Sequence, residues 1–365
     1  MTAGPAMERS MDRYTVVISD VGKHDQGYRG TRAFWWLATR FGAYAELGLY
    51  WFLVQYFGRS SVKLVRPSEL LDRRQTLETD WLFVGLPSSL GREHLRNVKF
   101  RRLVLYDSTD HHGVNFGNSD VECLLGETNT CLKNFRDRRW DPPCHIGLLP
   151  IKRPPLNNRL HAALGIAPWK QRLGRQPSKR FDVGFVARPT GTIETNQRLR
   201  WMLELKRRRP DLSLWGGLVG GDRWREAFQS HSDADLLEAC WLNRRKIDFF
   251  QYFDGLCQSK VALAPSGYAP WTYRHFEAMY ARCLVVSNDL SHYEFLIPFP
   301  RDRMVEVPEG ESVVPAIEKA LAMCEADPEI LDENLAYLNR WWDAGKYSRR
   351  RTETLERFMA ELEHV

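Results

Sequence analysis

The chain has 365 residues, 43% of them hydrophobic and 27% charged, enough for two folded cores and outside the composition of a disordered or fibrous protein. Its net charge of +6 implies an anionic partner, yet the basic residues fall in short clusters such as Arg73-Arg74, Arg101-Arg102 and 206–209, with no nucleic-acid-binding signature around them, so nucleic acid is set aside. Seven cysteines, an odd number without a Cys-x-x-Cys pair, speak against a disulfide framework or a zinc site and, with no apolar leader, predict a cytoplasmic protein.

The first half alternates strands and helices. Residues 15–19 read as a strand, and an aromatic stretch at 33–57 follows, which Arg40, Glu46 and Gln55 interrupt and Gly42 and Gly48 weaken. It is expected to be a buried first helix or helix pair; the alternative is a face that docks on a membrane, at its inner side, or on a lipid-linked acceptor. Apolar runs at 62–65, 81–84 and 103–106 continue the strand series, which is the rhythm of a parallel sheet with crossover helices. A segment rich in Pro and basic residues, 151–180, reads as a linker. Beyond it come strands at 181–187, 212–215, 260–264, 284–287 and 304–307, separated by helices at 196–208, 247–258, 273–282 and 312–325. The expected fold is therefore α/β, with two Rossmann-like domains at 11–150 and 181–327 facing across a cleft. The tail at 328–365 is expected to form helices available to pack back on the N-terminal domain.

The most informative run is 260–289, KVALAPSGYAPWTYRHFEAMYARCLVVSND. A buried strand ends at Pro265, a Gly- and Pro-containing loop follows, Thr272 is a suitable N-cap, and a second buried strand begins after Cys283. Helical spacing puts Phe276, Met279, Tyr280 and Cys283 on one side and Arg274, Glu277, Ala278 and Ala281 on the other. Arg274 beside a helix N-terminus favours phosphate, and Glu277 can accept two hydroxyl hydrogen bonds, as a ribose would offer. A solvated helix-surface ion pair is the alternative.

This pattern of Pro-Ser-Gly, Arg, Glu-Ala, Cys and Val-Val resembles the C-terminal domain of GT-B glycosyltransferases, most closely the exostosin-like group, over about thirty residues. The resemblance implies that the N-terminal domain takes the acceptor and the C-terminal domain a nucleotide-sugar. It also implies that Glu277 holds the nucleotide ribose, with Arg274, Ser266 and Gly267 near the diphosphate or sugar. Many retaining relatives carry an acid eight positions before that Glu; here the position is Ala269, which favours inversion. Arg282 stands where the group usually has Gly. The turn Arg188-Pro189-Thr190 is a second candidate for the diphosphate, with an ordinary surface turn as its alternative.

Inversion requires a base that takes the acceptor hydroxyl's proton. Two loops after N-terminal strands supply candidates: Asp110 and His112 in one, and Asp20, His24 and Asp25 in the other. No metal or other cofactor is expected. Asp233-Ala234-Asp235, although an Asp-x-Asp, opens a helix and reads as first-turn acids complementing the helix dipole. The expected activity is sugar transfer from a nucleotide-sugar to a glycan, lipid-linked or polysaccharide acceptor. A sugar-nucleotide epimerase or hydrolase, or a non-catalytic glycan- or nucleotide-binding protein of the same fold, is the alternative.

Overall fold

A computed structural model of the protein describes residues 12–17, 48–71, 74–86, 90, 92–107, 131–133, 136–139, 145–146, 177–189, 196–220, 233–243, 247, 249–267, 270–295, 298–341, 356–357 and 360. It divides into two compact units. The N-terminal unit comprises Met1–Lys152, Tyr293–Ile297 and Gly345–Val365; the C-terminal unit comprises Arg153–His292 and Pro298–Ala344.

The N-terminal unit is built on strands β1 (Asp12–Val17), β2 (Val62–Val65), β3 (Leu77–Leu86), β4 (Val98–Asp107) and β5 (Cys131–Lys133), with short pieces β6 (Arg136–Asp137) and β7 (His145–Ile146). The sheet runs β2-β1-β3-β4-β5-β7 and every neighbouring pair is parallel, a flavodoxin-like order. Helix α1 (Gly48–Phe57), from the aromatic stretch, buries Leu49, Tyr50 and Leu53 against Val16, Phe83 and Val104. This agrees with a core helix for its described part. Helices α2 (Pro67–Leu71) and α3 (Arg92–Leu95) are short. Strands β3 and β4 extend four or more residues before the apolar runs that announced them, because their outer halves alternate: Leu77 and Thr79 point inward while Glu78 is exposed. Similarly β1 starts at Asp12, held there by pairing with Thr79.

The C-terminal unit contains β8 (Phe181–Ala187), α4 (Gln197–Arg208), β9 (Leu214–Val219), α5 (Ala234–Ala239), β10 (Trp241–Asn243), α6 (Phe249–Cys257), β11 (Ser259–Ala264), α7 (Tyr273–Tyr280) and β12 (Leu284–Asn288). After β13 (Tyr293–Glu294) come β14 (Met304–Val307), α8 (Val313–Ala326) and α9 (Ile330–Trp341). Its sheet, β10-β9-β8-β11-β12-β14, is parallel throughout. Counted within the unit, this is the Rossmann order 3-2-1-4-5-6. Strands buried on both faces need continuous apolar runs, and Leu263, Val286, Phe185 and Val305 meet α4 and α8 in one core.

Two features depart from the sequence reading. The segment β13 pairs antiparallel with β6 and so belongs to the N-terminal unit; Arg136 and Arg138 both lie 3.2 Å from Glu294 across or beside this pairing. The first helix of the tail, α9, packs within the C-terminal unit rather than returning to the N-terminal half. Ile330 and Leu331 join its core, and Asp332 lies 2.6 Å from Arg282. Asp233 is the N-cap of α5 and pairs with Arg207, in keeping with a first-turn role for the Asp-x-Asp. Among the described residues no helix is long and apolar enough to cross a membrane.

Candidate functional site

In the C-terminal sheet the strand order reverses between β8 and β11, and the crevice outside the carboxyl ends of such neighbours is where open α/β sheets bind ligands. Two loops leave there: Arg188-Pro189 after β8, and Pro265-Ser266-Gly267 after β11. The start of α4 ties them together. Asn196 caps that helix by accepting from the Leu199 N–H at 3.1 Å. Gln197 Oε1 accepts from the Ser266 N–H at 2.7 Å and from its hydroxyl, while Arg198 donates to the Arg188 carbonyl at 2.9 Å and the Ser266 carbonyl at 3.3 Å. A Cβ at Gly267 would stand 2.3 Å from Arg198 Nη2, so a larger residue there would displace the guanidinium from the loop.

Helix α7 brings the remaining groups. Thr272 is its N-cap, and the His275 Nδ1 lies 3.1 Å from the Thr272 N and 3.0 Å from its carbonyl oxygen, while Nε2 is hydrogen-bonded with Ser287 Oγ at 2.7 Å. His275 is fully buried, and burial pushes its pKa down to about 4, so the ring is neutral at pH 7. Glu277 is also buried and accepts from the Tyr252 hydroxyl of α6 at 2.8 Å. Burial raises the Glu277 carboxyl above its ordinary range, against the opposing pull of that hydrogen bond and of the nearby Arg274 cation. Arg274 Nη2 donates to the Val186 carbonyl at 2.8 Å and its guanidinium lies 5.5 Å from the Phe185 ring centroid. Its Nε and Nη1 are buried and bond no carboxylate or backbone carbonyl among the described residues, the Tyr252 phenol being the polar group beside the guanidinium.

The helix wheel misjudged this neighbourhood in one respect. Ala278 and Ala281 are buried like Phe276 and Met279, so α7 is covered on both sides and Arg274 and Glu277 do not form a solvated surface pair. Glu277, Arg274, Ser266, Gly267 and Arg188 all lie at or beside the carboxyl ends of β8 and β11, with Arg188 exposed. Thr190, Ala269, and the five candidate bases Asp20, His24, Asp25, Asp110 and His112 lie outside the described residues. Tyr252, Gln197 and Arg198 were missed; an aromatic residue on an amphipathic helix gives no sign that its hydroxyl serves a carboxylate 25 positions later. Among the described residues, no group of three or more His, Cys, Asp or Glu could hold a metal ion. A buried guanidinium with donors to spare suits an anion, and a buried carboxylate with one oxygen engaged suits a hydroxyl.

No family model matches the sequence, and no curated protein matches it. Among solved structures, ligand-free OtsA is similar over 97% of this chain and 99% of its own, at 12% identity and a TM-score of 0.50. The chain has the GT-B fold. Two further similar structures are HepE of Anabaena in complex with UDP (13% identity, 97% of this chain and 100% of that one, TM-score 0.47) and an α1,3-fucosyltransferase with GDP (13%, 100% and 94%, TM-score 0.45). TarM, at 13% identity and a TM-score of 0.47, matches 78% of this chain, which spans only 54% of TarM's length. Within this GT-B chain the groups just described belong to the C-terminal unit alone.

Proposed function

We propose that the protein is a glycosyltransferase that moves a sugar from a nucleotide-sugar donor to a glycan, lipid-linked or polysaccharide acceptor. The observation that carries this reading is the pairing, on one helix at the switch point, of a buried carboxylate, Glu277, with a guanidinium, Arg274, whose buried Nε and Nη1 meet no carboxylate among the described residues. A nucleoside diphosphate answers both: its phosphates accept from Arg274, and its ribose hydroxyls donate to Glu277. Ser266 and Gly267, with the Arg198 guanidinium packed against them, and Arg188 and Thr190 are assigned to the same anion.

In the proposed transfer the acceptor hydroxyl oxygen bonds to the anomeric carbon as the bond from that carbon to the diphosphate oxygen breaks. The hydroxyl proton passes to a base drawn from Asp110, His112, Asp20, His24 and Asp25, and the nucleoside diphosphate leaves. Inversion is proposed because the resemblance puts Ala269 where retaining relatives carry an acid. Arg274 and the N-terminus of α7 supply positive charge to the leaving group, so no metal is assigned a step.

The test is thermal unfolding with UDP-, GDP-, ADP- and CMP-sugars. A donor at one hundred times its Kd adds about 2.7 kcal/mol, a rise of several degrees in Tm. No rise with any donor sinks the reading. Product analysis with and without acceptor then separates transfer from hydrolysis, epimerisation or binding alone.

A further inference from the structure

Tyr252 is not needed to fill the core, since a phenylalanine would fill the same space, yet its hydroxyl is spent on Glu277. The residue is half-buried; desolvation of its phenol and the neighbouring carboxylate outweigh the nearby Arg274 cation and raise its pKa well above the ordinary value, so it stays a neutral donor. Its place is fixed from several directions. The Trp215 ring lies 6.4 Å from the Tyr252 ring, and it approaches α6 where Gly255 leaves room, for a Cβ there would stand 1.9 Å from the indole. One ammonium fastens the ends of the two helices concerned: Lys179 Nζ donates to the Cys257 carbonyl at the end of α6 at 3.0 Å. It also donates to the Ala281 and Arg282 carbonyls after α7 at 3.2 and 2.6 Å. The donor on α6 and the acceptor on α7 are thereby held in register.

A carboxylate has two oxygens and a free choice of orientation; a fixed donor on one oxygen removes that choice. We propose that Tyr252 is a positioning residue that commits Glu277 Oε2 and so presents Oε1 to the sugar hydroxyls, making the site select ribonucleotides over 2′-deoxyribonucleotides. The inference rests on the donor-site reading above. Among the described residues, the groups facing Glu277 are Tyr252 on α6 and the Arg274 cation on its own helix, which also acts on the Tyr252 phenol. Removing the phenol hydroxyl leaves Oε2 buried without a donor, which raises the pH at which the carboxyl loses its proton. Nucleotide binding needs the ionised form, so it is lost as pH falls, and in the variant it is lost at higher pH.

The experiment titrates the full chain and its Tyr252→Phe variant with UDP, GDP and ADP, each against its 2′-deoxy counterpart, between pH 5 and 8. The expected result for Tyr252→Phe is about tenfold weaker binding of the preferred diphosphate, near-equal affinity for its deoxy form, and a binding profile moved to higher pH. Glu277→Gln should bind weakly with no such pH dependence. Unchanged affinity, deoxy discrimination and pH profile in a folded Tyr252→Phe protein overturn this inference alone. Failure of the unaltered chain to bind any of the three diphosphates overturns it together with the donor-site reading.

Discussion

Replacing Glu277 by Gln keeps the size of the side chain and its ability to accept from Tyr252, and changes only the charge. Two effects on stability then oppose each other. A charged acceptor gives way to a neutral one, which costs about 1 kcal/mol, while a buried charge whose carboxyl is raised by desolvation disappears. The signs differ with pH. A carboxyl whose folded pKa lies above its unfolded one contributes most stability below the unfolded value and loses it as pH rises, so relief on removing the charge is present at pH 7 and absent at pH 4. Net stability at pH 7 should therefore stay within about 1 kcal/mol of the parent or rise. Donor affinity behaves otherwise: a hydrogen bond from a hydroxyl to a charged acceptor is worth about 1.5–3 kcal/mol, so nucleotide binding should weaken roughly 10- to 100-fold. The assay pairs urea unfolding at pH 4 and pH 7, followed by tryptophan fluorescence, with calorimetric titration of the donor nucleotide. A stability loss above about 2 kcal/mol at pH 7 with intact binding refutes the reasoning, because the charge would then serve the fold and not a ligand.

Two other outcomes follow from groups that support the site. Lys179→Met retains the aliphatic stem but leaves the Cys257, Ala281 and Arg282 carbonyls without their ammonium, and should cost about 2 kcal/mol in urea unfolding; a loss under 0.5 kcal/mol, roughly that of an exposed ion pair, would contradict the clamp. His275 is buried neutral with a pKa near 4, so the stability it secures is complete above about pH 6.5 and drains as pH falls through 4, by about 3 kcal/mol. His275→Gln should flatten that slope, and equal slopes in variant and parent would show that another group carries it.

Much of the fold could be read from apolar runs, because strands of a covered parallel sheet are rich in apolar residues: residues 62–65, 181–187 and 304–307 coincide with β2, β8 and β14. What escaped was short or cooperative. Trp241–Asn243 is an edge strand of three residues with Leu242 exposed, too brief for any period to register. The face carrying Arg274 and Glu277 was found, with a solvated ion pair as the alternative; only tertiary packing decides that Ala278 and Ala281 beside them are covered. Arg282 illustrates the converse. In sequence it was merely a departure from an expected glycine, and in the structure it adopts φ 55°, the left-handed conformation that glycine accepts freely, with Asp332 of α9 at 2.6 Å from its guanidinium. Tyr252 left no trace because its partner is distant along the chain.

The pairing of β13 with β6 also sets a schedule for biosynthesis. Arg136 and Asp137 are translated long before Tyr293 and Glu294, so at about 5–20 residues per second the N-terminal unit waits on the order of ten seconds for a strand it needs. During that interval the whole Rossmann sheet of the C-terminal unit, apart from β14, emerges from the ribosome. A gene cut between Lys152 and Arg153 would therefore yield an N-terminal fragment whose Arg136 lacks the Glu294 carboxylate. Exchange of halves between chains of this fold has to carry Tyr293 and Glu294 with the N-terminal unit to keep that ribbon whole.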